Sequence, residues 1–161
     1  VSDIVRNNFG KTAAIVLVVL ILSSGAYFQF KSSDNLIKIK RDSYYPVKEA
    51  GIWVKEHSNP GDIVFSRSWP QNNYYSQRET FTFDWNNQTT QKQTLLNLLK
   101  DKNTRFYVLS IFEPGREWMF DIPQEHKEYF MPVKVYTQDV NGQQQPILVI
   151  YEIKKDFYKT Y

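Results

Sequence analysis

Residues 45–65 read YPVKEAGIWVKEHSNPGDIVF, and this stretch decides the fold class. Apolar or small residues recur at three- and four-residue spacing between 47 and 54, which is the period of a helix that buries one face. The turn NPGD at 59–62 ends that helix, because proline cannot continue a helix and Pro-Gly favours a tight turn. The apolar run IVF at 63–65 is typical of a central strand covered on both faces. The stretch therefore predicts a helix, a tight turn and a buried strand.

Helix and strand patterns alternate through the rest of the chain. Strand-like runs lie at 80–83, 106–112, 133–137 and 147–153, and helical patterns lie at 90–100 and 124–130. Asn-Gly at 141–142 predicts a hairpin between the last two runs, with a loop that the polar QQQP after it lengthens. The expected fold class is α/β: a three-layer, Rossmann-like sandwich with a mostly parallel sheet and a C-terminal antiparallel hairpin.

An apolar segment near the start of the chain is set apart from this domain. Residues 13–30 read AAIVLVVLILSSGAYFQF, without a charged side chain. With Thr12 the segment spans roughly 28 Å as a helix, which is close to the hydrocarbon thickness of a bilayer. A signal peptide cleaved near 24–26 is the alternative, but the run exceeds the usual length of a signal-peptide apolar core. We therefore predict a membrane-spanning helix at 12–30.

The predicted organisation has four parts. Residues 1–11 flank the helix, 12–30 span the bilayer, 31–43 form a polar juxtamembrane linker, and 44–161 form a soluble α/β domain. The mean hydropathy of the whole chain is −0.51, so the part outside the apolar segment is distinctly polar. Because the chain opens with Val1, we expect the numbering to start inside a longer protein.

The charge distribution bears on partners and orientation. Six of the 20 basic and three of the 17 acidic residues lie in residues 1–42, so the remainder carries fourteen of each and is formally neutral. We expect no nucleic-acid partner, because phosphate recognition needs a concentrated basic face. The charges beside the helix slightly favour a cytoplasmic main body. Asn87 begins a glycosylation sequon, which matters only outside the cell.

The common catalytic constellations are missing at the level of residue type. The chain has no cysteine and two histidines, which excludes Cys/His nucleophilic chemistry and disfavours a His-rich metal site. Its six glycines are not spaced as in phosphate-binding loops. The carboxylate pairs Glu113 with Glu117 and Asp121 with Glu125 lie in polar segments, where solvated surface carboxylates are the default. We predict no catalytic residue, metal site or bound cofactor in this chain.

The densest group of potential binding residues lies at 65–78, FSRSWPQNNYYSQR. This segment leaves the end of the first predicted strand, and ligands of open α/β sheets gather outside the carboxyl ends of strands. Aromatic faces stack on sugar rings, and guanidinium groups pair with phosphate or carboxylate. The predicted substrate-binding residues are Arg67, Trp69, Tyr74, Tyr75 and Arg78. The alternative is that the tyrosines pack against the sheet and the arginines are surface residues.

The apolar helix, the polar linker and residues 44–78 together resemble the C-terminal region of GT-C type membrane glycosyltransferases of the family 39 and protein mannosyltransferase-like kind. The features that carry the resemblance are Glu49-Ala50, Trp53-Val54-Lys55, the turn at 59–62, the strand at 63–65 and the segment YYSxR at 74–78. The resemblance implies an extracytoplasmic α/β domain at the cell membrane. It also implies a multi-span region upstream that holds the acidic catalytic residues and uses a polyprenyl-phosphate-linked sugar as donor.

Two hypotheses about function follow. In the first, the chain is a non-catalytic extracytoplasmic domain of such a glycosyltransferase, and it supports acceptor or carrier binding. Its partners would be the lipid bilayer, the upstream transmembrane region of the parent protein, and a glycan or protein acceptor. In the second, the chain is a single-pass membrane-anchored binding or scaffold module without linked enzymatic activity.

Overall fold

The computed structural model describes residues 2–83, 91–113 and 115–160, which form five helices and five strands. The helices are α1 (Ser2–Glu56), α2 (Trp69–Ser76), α3 (Lys92–Asp101), α4 (Trp118–Glu125) and α5 (Phe157–Thr160). The strands are β1 (Ile63–Ser66), β2 (Thr80–Phe81), β3 (Thr104–Ser110), β4 (Phe130–Val140) and β5 (Gln143–Ile153). The chain divides into two compact units, Val1–Asp42 and Ser43–Tyr161.

Within the first unit, the described backbone is helical and belongs to α1. Residues Ala13–Lys38 are long and apolar enough to cross a membrane, with a mean hydropathy of 2.1 in their most apolar window and exposed side chains. The segment 31–43, predicted as a linker, is also helical. Nothing in the sequence stops the helix there, because no glycine or proline lies between Gly25 and Pro46. An ion pair at 2.8 Å between Asp34 and Lys38, one turn apart, supports the helical backbone.

The second unit contains a five-stranded sheet in the order β2-β1-β3-β5-β4. β1 pairs in parallel with β2 and β3, whereas β5 pairs antiparallel with β3 and β4. The α/β class and the C-terminal antiparallel hairpin are confirmed, but the prediction of a mostly parallel sheet is wrong. The sheet is mixed because the long hairpin supplies two of its five strands, and β5 pairs directly with β3.

Helices cover both faces of the sheet. On one face, Val47, Ala50 and Val54 of α1 pack against Val64 and other residues of β1, β3 and β5. On the opposite face, α3, α4 and α5 contribute the apolar residues Leu95, Leu96, Leu99, Met119, Ile122 and Phe157 to a second core cluster. Successive strand residues therefore enter opposite clusters, as the uniformly apolar runs of β1 and β3 predict.

Several predicted boundaries need correction. The helix predicted at 124–130 is α4 at Trp118–Glu125, because Met119 and Ile122 are the apolar residues that the sheet buries there. The hairpin loop is shorter than predicted, since the glutamines after Gly142 belong to β5. Asn141 and Gly142 form its tight turn, both with positive φ, at 55° and 79°. The helix α2 was not predicted. Asn87, and with it the glycosylation sequon, lies outside the described residues.

Gly51 allows α2 to approach α1 closely. A Cβ at Gly51 would lie 2.6 Å from the Cβ of Tyr75, which is attached to the backbone and cannot rotate away. We predict that Gly51→Ala lowers the free energy of unfolding by about 1–3 kcal/mol, although alanine alone would favour the helix by about 1 kcal/mol. Denaturant unfolding of the full chain in non-ionic micelles, followed by tryptophan fluorescence, measures this change.

The matched control is Gly61→Ala, because a Cβ at Gly61 meets no atom of the described residues within 4 Å. This control should change the free energy of unfolding by less than about 0.5 kcal/mol. If both substitutions changed the free energy of unfolding equally, Gly51 would not be required for the close packing of α2 on α1.

Candidate functional site

The chain diverges at the carboxyl ends of β1 and β3, which lie side by side in the sheet. β2, which follows β1 in the chain, pairs with β1 on the side away from β3. β4 and β5, which follow β3, lie on the side of β3 away from β1. Such a divergence leaves a crevice between the two outgoing loops, and ligands of open α/β sheets bind at this kind of position. The crevice between the ends of β1 and β3 is therefore the candidate site.

Polar side chains are buried at this edge of the sheet. They are Ser66, Arg67, Ser68, Asn72 and Ser110. Ser66 Oγ accepts hydrogen bonds from Asn72 Nδ2 at 2.7 Å and from the backbone N–H of Ser68 at 3.2 Å. The Oδ1 atom of Asn72 is buried without a hydrogen-bond partner in the described part of the chain. Buried polar groups without partners are rare, so this edge differs from an ordinary core.

Arg67 is the least satisfied of these side chains. It is only 4% exposed, and its buried Nε has no hydrogen-bond partner among the described residues. Its guanidinium lies over the Phe120 ring, with Cζ 5.4 Å from the ring centroid. It also lies against Gly115, where a Cβ would come within 2.6 Å of Nη2. An unpaired buried polar group costs about 1–3 kcal/mol, and a charged one costs more.

Glu113 is the carboxylate whose charge acts on Arg67. Its Oε1 accepts a hydrogen bond of 2.7 Å from Ser68 Oγ, which holds the carboxylate beside the end of β1. Burial lowers the pKa of Arg67 below its ordinary value, while the charge of Glu113 acts in the opposite direction. Arginine stays protonated in proteins, so the site contains one buried cation and one neighbouring carboxylate.

A cavity of about 280 Å³ with a mostly apolar wall lies next to Phe120. It lies between α4 and the sheet, and Phe120 belongs both to its wall and to the contact with Arg67. The other apolar side chains of its wall include Leu109, Ile111, Ile147, Leu148 and Val149. The candidate site thus places a cationic group next to an apolar surface.

The aromatic residues of the predicted site all lie on α2. Trp69 is 46% exposed at the start of α2, and Tyr74 is 75% exposed near its end. Tyr75 packs its Cβ against Gly51 and its ring edge-on to Tyr74, with ring centroids 5.0 Å apart. Tyr74 and Tyr75 line a cavity with residues of α1, which is distinct from the cavity beside Phe120.

The Arg78 side chain binds carbonyl groups at the C-terminal end of α1. Its guanidinium donates to the backbone oxygens of Lys55, Ser58 and Gln77 at 2.9–3.0 Å, and to Ser58 Oγ at 2.7 Å. The Lys55 carbonyl belongs to the last turn of the helix, where carbonyls lack partners within the helix. Arg78 therefore satisfies the end of α1, whereas the Nε of Arg67 has no partner in the described part of the chain.

Three residues of the site were not predicted from the sequence: Glu113, Gly115 and Phe120. Glu113 was considered only as a partner of Glu117, but its hydrogen bond is with Ser68. Of the second carboxylate pair, Glu125 forms an ion pair with Lys92, and Asp121 is exposed. These residues lie more than forty positions after Arg67, so no local pattern connects them to it.

A third cavity, of about 580 Å³, lies at the opposite edge of the sheet. In its wall, Arg105 pairs with Asp62 Oδ2 at 2.5 Å and with Glu152 Oε1 at 3.1 Å. These ion pairs connect the turn before β1 with β3 and β5. The pKa of Arg105 is raised, because the hydrogen bonds and charges of its two partners outweigh its burial. Arg105 therefore has a structural role, because its ion pairs join these segments.

Among the described residues, no group of three or more His, Asp or Glu side chains could hold a metal ion. Comparison of the chain with protein-family models, with curated proteins and with solved structures finds no match. The resemblance to glycosyltransferases and the Rossmann-like interpretation therefore stay predictions.

The contacts of Arg78 predict a stabilising role. We expect Arg78→Lys to lower the free energy of unfolding by about 2 kcal/mol, because one ammonium group cannot reach both Ser58 and the Lys55 and Gln77 carbonyls. Thermal or denaturant unfolding of the full chain in micelles measures the loss. Arg116→Lys, at an exposed position, is the matched control and should be close to neutral. Unchanged stability in Arg78→Lys would contradict this role and favour the predicted role in binding.

Proposed function

We propose that this chain is the membrane-anchored, non-catalytic domain of a polyprenyl-phosphate-sugar-dependent GT-C glycosyltransferase, and that it supports binding of the carrier or the acceptor. Its partners are the bilayer, a further transmembrane region of the parent protein, and a glycan or protein acceptor. The α/β unit lies outside the cytoplasm at the cell membrane. The order β2-β1-β3 of the parallel strands supports a Rossmann-like interpretation of that half of the sheet.

One observation supports this proposal above the others: Arg67, whose Nε has no partner among the described residues, contacts the ring of Phe120, and Phe120 lines a mostly apolar cavity. A polyprenyl-phosphate carrier combines an anionic phosphate with an apolar chain. Arginine is suited to phosphate because its planar fork donates several hydrogen bonds in fixed directions. The exposed faces of Trp69 and Tyr74 offer stacking surfaces for sugar rings. The apolar helix Ala13–Lys38 would keep the domain close to a lipid-linked ligand.

A second candidate function is an anchored binding or scaffold module with no linked enzyme. The exposure of Trp69 and Tyr74 on α2 favours it, because exposed aromatic residues are frequent in protein–protein interfaces. In that case the aromatic side chains of α2, and not the Arg67 crevice, would make the functional contact.

Photochemical labelling distinguishes the two functions. We predict that a diazirine-bearing farnesyl-phosphate sugar labels the full chain in nanodiscs within residues 109–124. Unlabelled polyprenyl-phosphate sugar should compete, and the free isoprenoid alcohol should not. Phe120→Ala should reduce this labelling, since Phe120 lies in the cavity wall. Val140→Ala, which shortens an exposed apolar side chain elsewhere, is the control. Labelling confined to residues 13–38 and insensitive to competition would favour the anchored module.

The proposed location has its own test, which the absence of cysteine makes simple. A single cysteine introduced at the exposed position of Lys127 should react with a membrane-impermeant maleimide in intact cells. The wild-type chain, which has no thiol, is the control for specificity. Labelling that appears only after the cells are permeabilised would place the α/β unit in the cytoplasm.

A further inference from the structure

Three arginines of the second unit differ in how their guanidinium groups are satisfied. Arg78 donates hydrogen bonds to Ser58 and to three backbone oxygens. Arg105 is paired with the carboxylates of Asp62 and Glu152. Arg67 is 4% exposed, and its Nε has no partner in the part of the chain that the structure describes. A bound anion can satisfy a buried cationic donor that has no acceptor in the protein.

The surroundings of Arg67 restrict the charge of that anion. The charge of Glu113 attracts Arg67, but its Oε1 accepts a hydrogen bond from the Ser68 hydroxyl, and Arg67 Nε has no partner among the described residues. An anion with one negative charge would pair with Arg67 and experience limited repulsion from Glu113. A dianion would be repelled more strongly, since like charges at short range disfavour each other in a partly buried site.

Two further contacts restrict the shape of the ligand. Gly115 has no side chain, and any Cβ there would occupy space that the Arg67 guanidinium now fills. Phe120 contacts the guanidinium and also lines the apolar cavity of about 280 Å³. A ligand whose anionic group reaches Arg67 would therefore bring its substituent to the apolar surface around Phe120.

We propose that the crevice between β1 and β3 binds one monoanionic group, a phosphate diester or a carboxylate, that carries an apolar substituent. Arg67 donates to the anion, and Phe120 with the cavity beside it contacts the substituent. Glu113 is a specificity-determining residue, because its charge selects against dianions. This inference rests on the proposed function, since it names the chemical group that the binding end of the domain takes.

The experiment uses the full chain in polyoxyethylene micelles, which contain no phosphate, carboxylate or sugar. Calorimetric titrations at pH 8 compare dibutyl phosphate, hexanoate, monobutyl phosphate and hexanol. We expect dibutyl phosphate or hexanoate to bind, and the tighter of the two identifies the diester or the carboxylate as the preferred group. Monobutyl phosphate, a dianion at this pH, and the neutral hexanol should bind at least about tenfold more weakly.

Two substitutions test the roles of the residues. Arg67→Gln should weaken binding of the monoanion at least about tenfold, because it removes the charge-assisted hydrogen bonds. Arg116→Gln removes an exposed arginine from the neighbouring loop and should change binding less than twofold. Glu113→Gln keeps Arg67 and should strengthen binding of monobutyl phosphate about tenfold. A purely structural role of Glu113 would not predict stronger binding of monobutyl phosphate. Glu113→Gln therefore tests the inference even if Arg67→Gln does not fold.

Either of two results would overturn the inference: equal binding of monoanions by wild type and folded Arg67→Gln, or no preference for monoanions that depends on Glu113. The small probes contain neither a polyprenyl chain nor a sugar, so their binding does not depend on the glycosyltransferase assignment. Carrier labelling that persists unchanged in Arg67→Gln would leave the proposed function standing and remove this anion site.

Discussion

Val64 and Phe65 of β1 lie beside Phe106 and Tyr107 of β3, and these side chains enter the two opposite core clusters in alternation. Both clusters exist only because α1 covers one face of the sheet and α3, α4 and α5 cover the other. A one-residue shift of either strand would exchange its side chains between the faces, so burial on both faces disfavours such a shift in the parallel pairing of β1 and β3. The rest of the second unit is arranged around this pair.

The same pairing creates the candidate site. Since β1 and β3 run in parallel, their carboxyl ends meet at one edge, where the chain turns in opposite directions. The residues that follow these ends include Arg67, Ser68 and Glu113, which come together although they are distant in sequence. Burial of a cation there without a hydrogen-bond acceptor lowers the stability of the domain. The opposite edge shows the contrasting case, because Arg105 is paired with two carboxylates.

Local patterns predicted much of the secondary structure. The spacing of apolar residues between 47 and 54 indicated the buried face of α1, the run at 63–65 indicated β1, and Asn-Gly at 141–142 indicated the hairpin. The mixed sheet was not predictable in this way. Pairing of β5 with β3 is a contact between strands more than thirty residues apart, and only the completed core selects it. The polar glutamines of β5 form a strand because they extend a hairpin whose register is already set by its turn.

The sequence by itself determined the α/β class, the apolar N-terminal helix, and Arg67 and Arg78 as candidate binding residues near the end of the first strand. It did not distinguish those two arginines, since each is a cation in the same short segment. The tertiary structure decided between them: Arg78 meets the unpaired carbonyls at the end of α1, whereas Arg67 meets Gly115 and Phe120, which offer its Nε no acceptor. The physical reason is that hydrogen-bond partners distant in the chain become neighbours only when the sheet has formed.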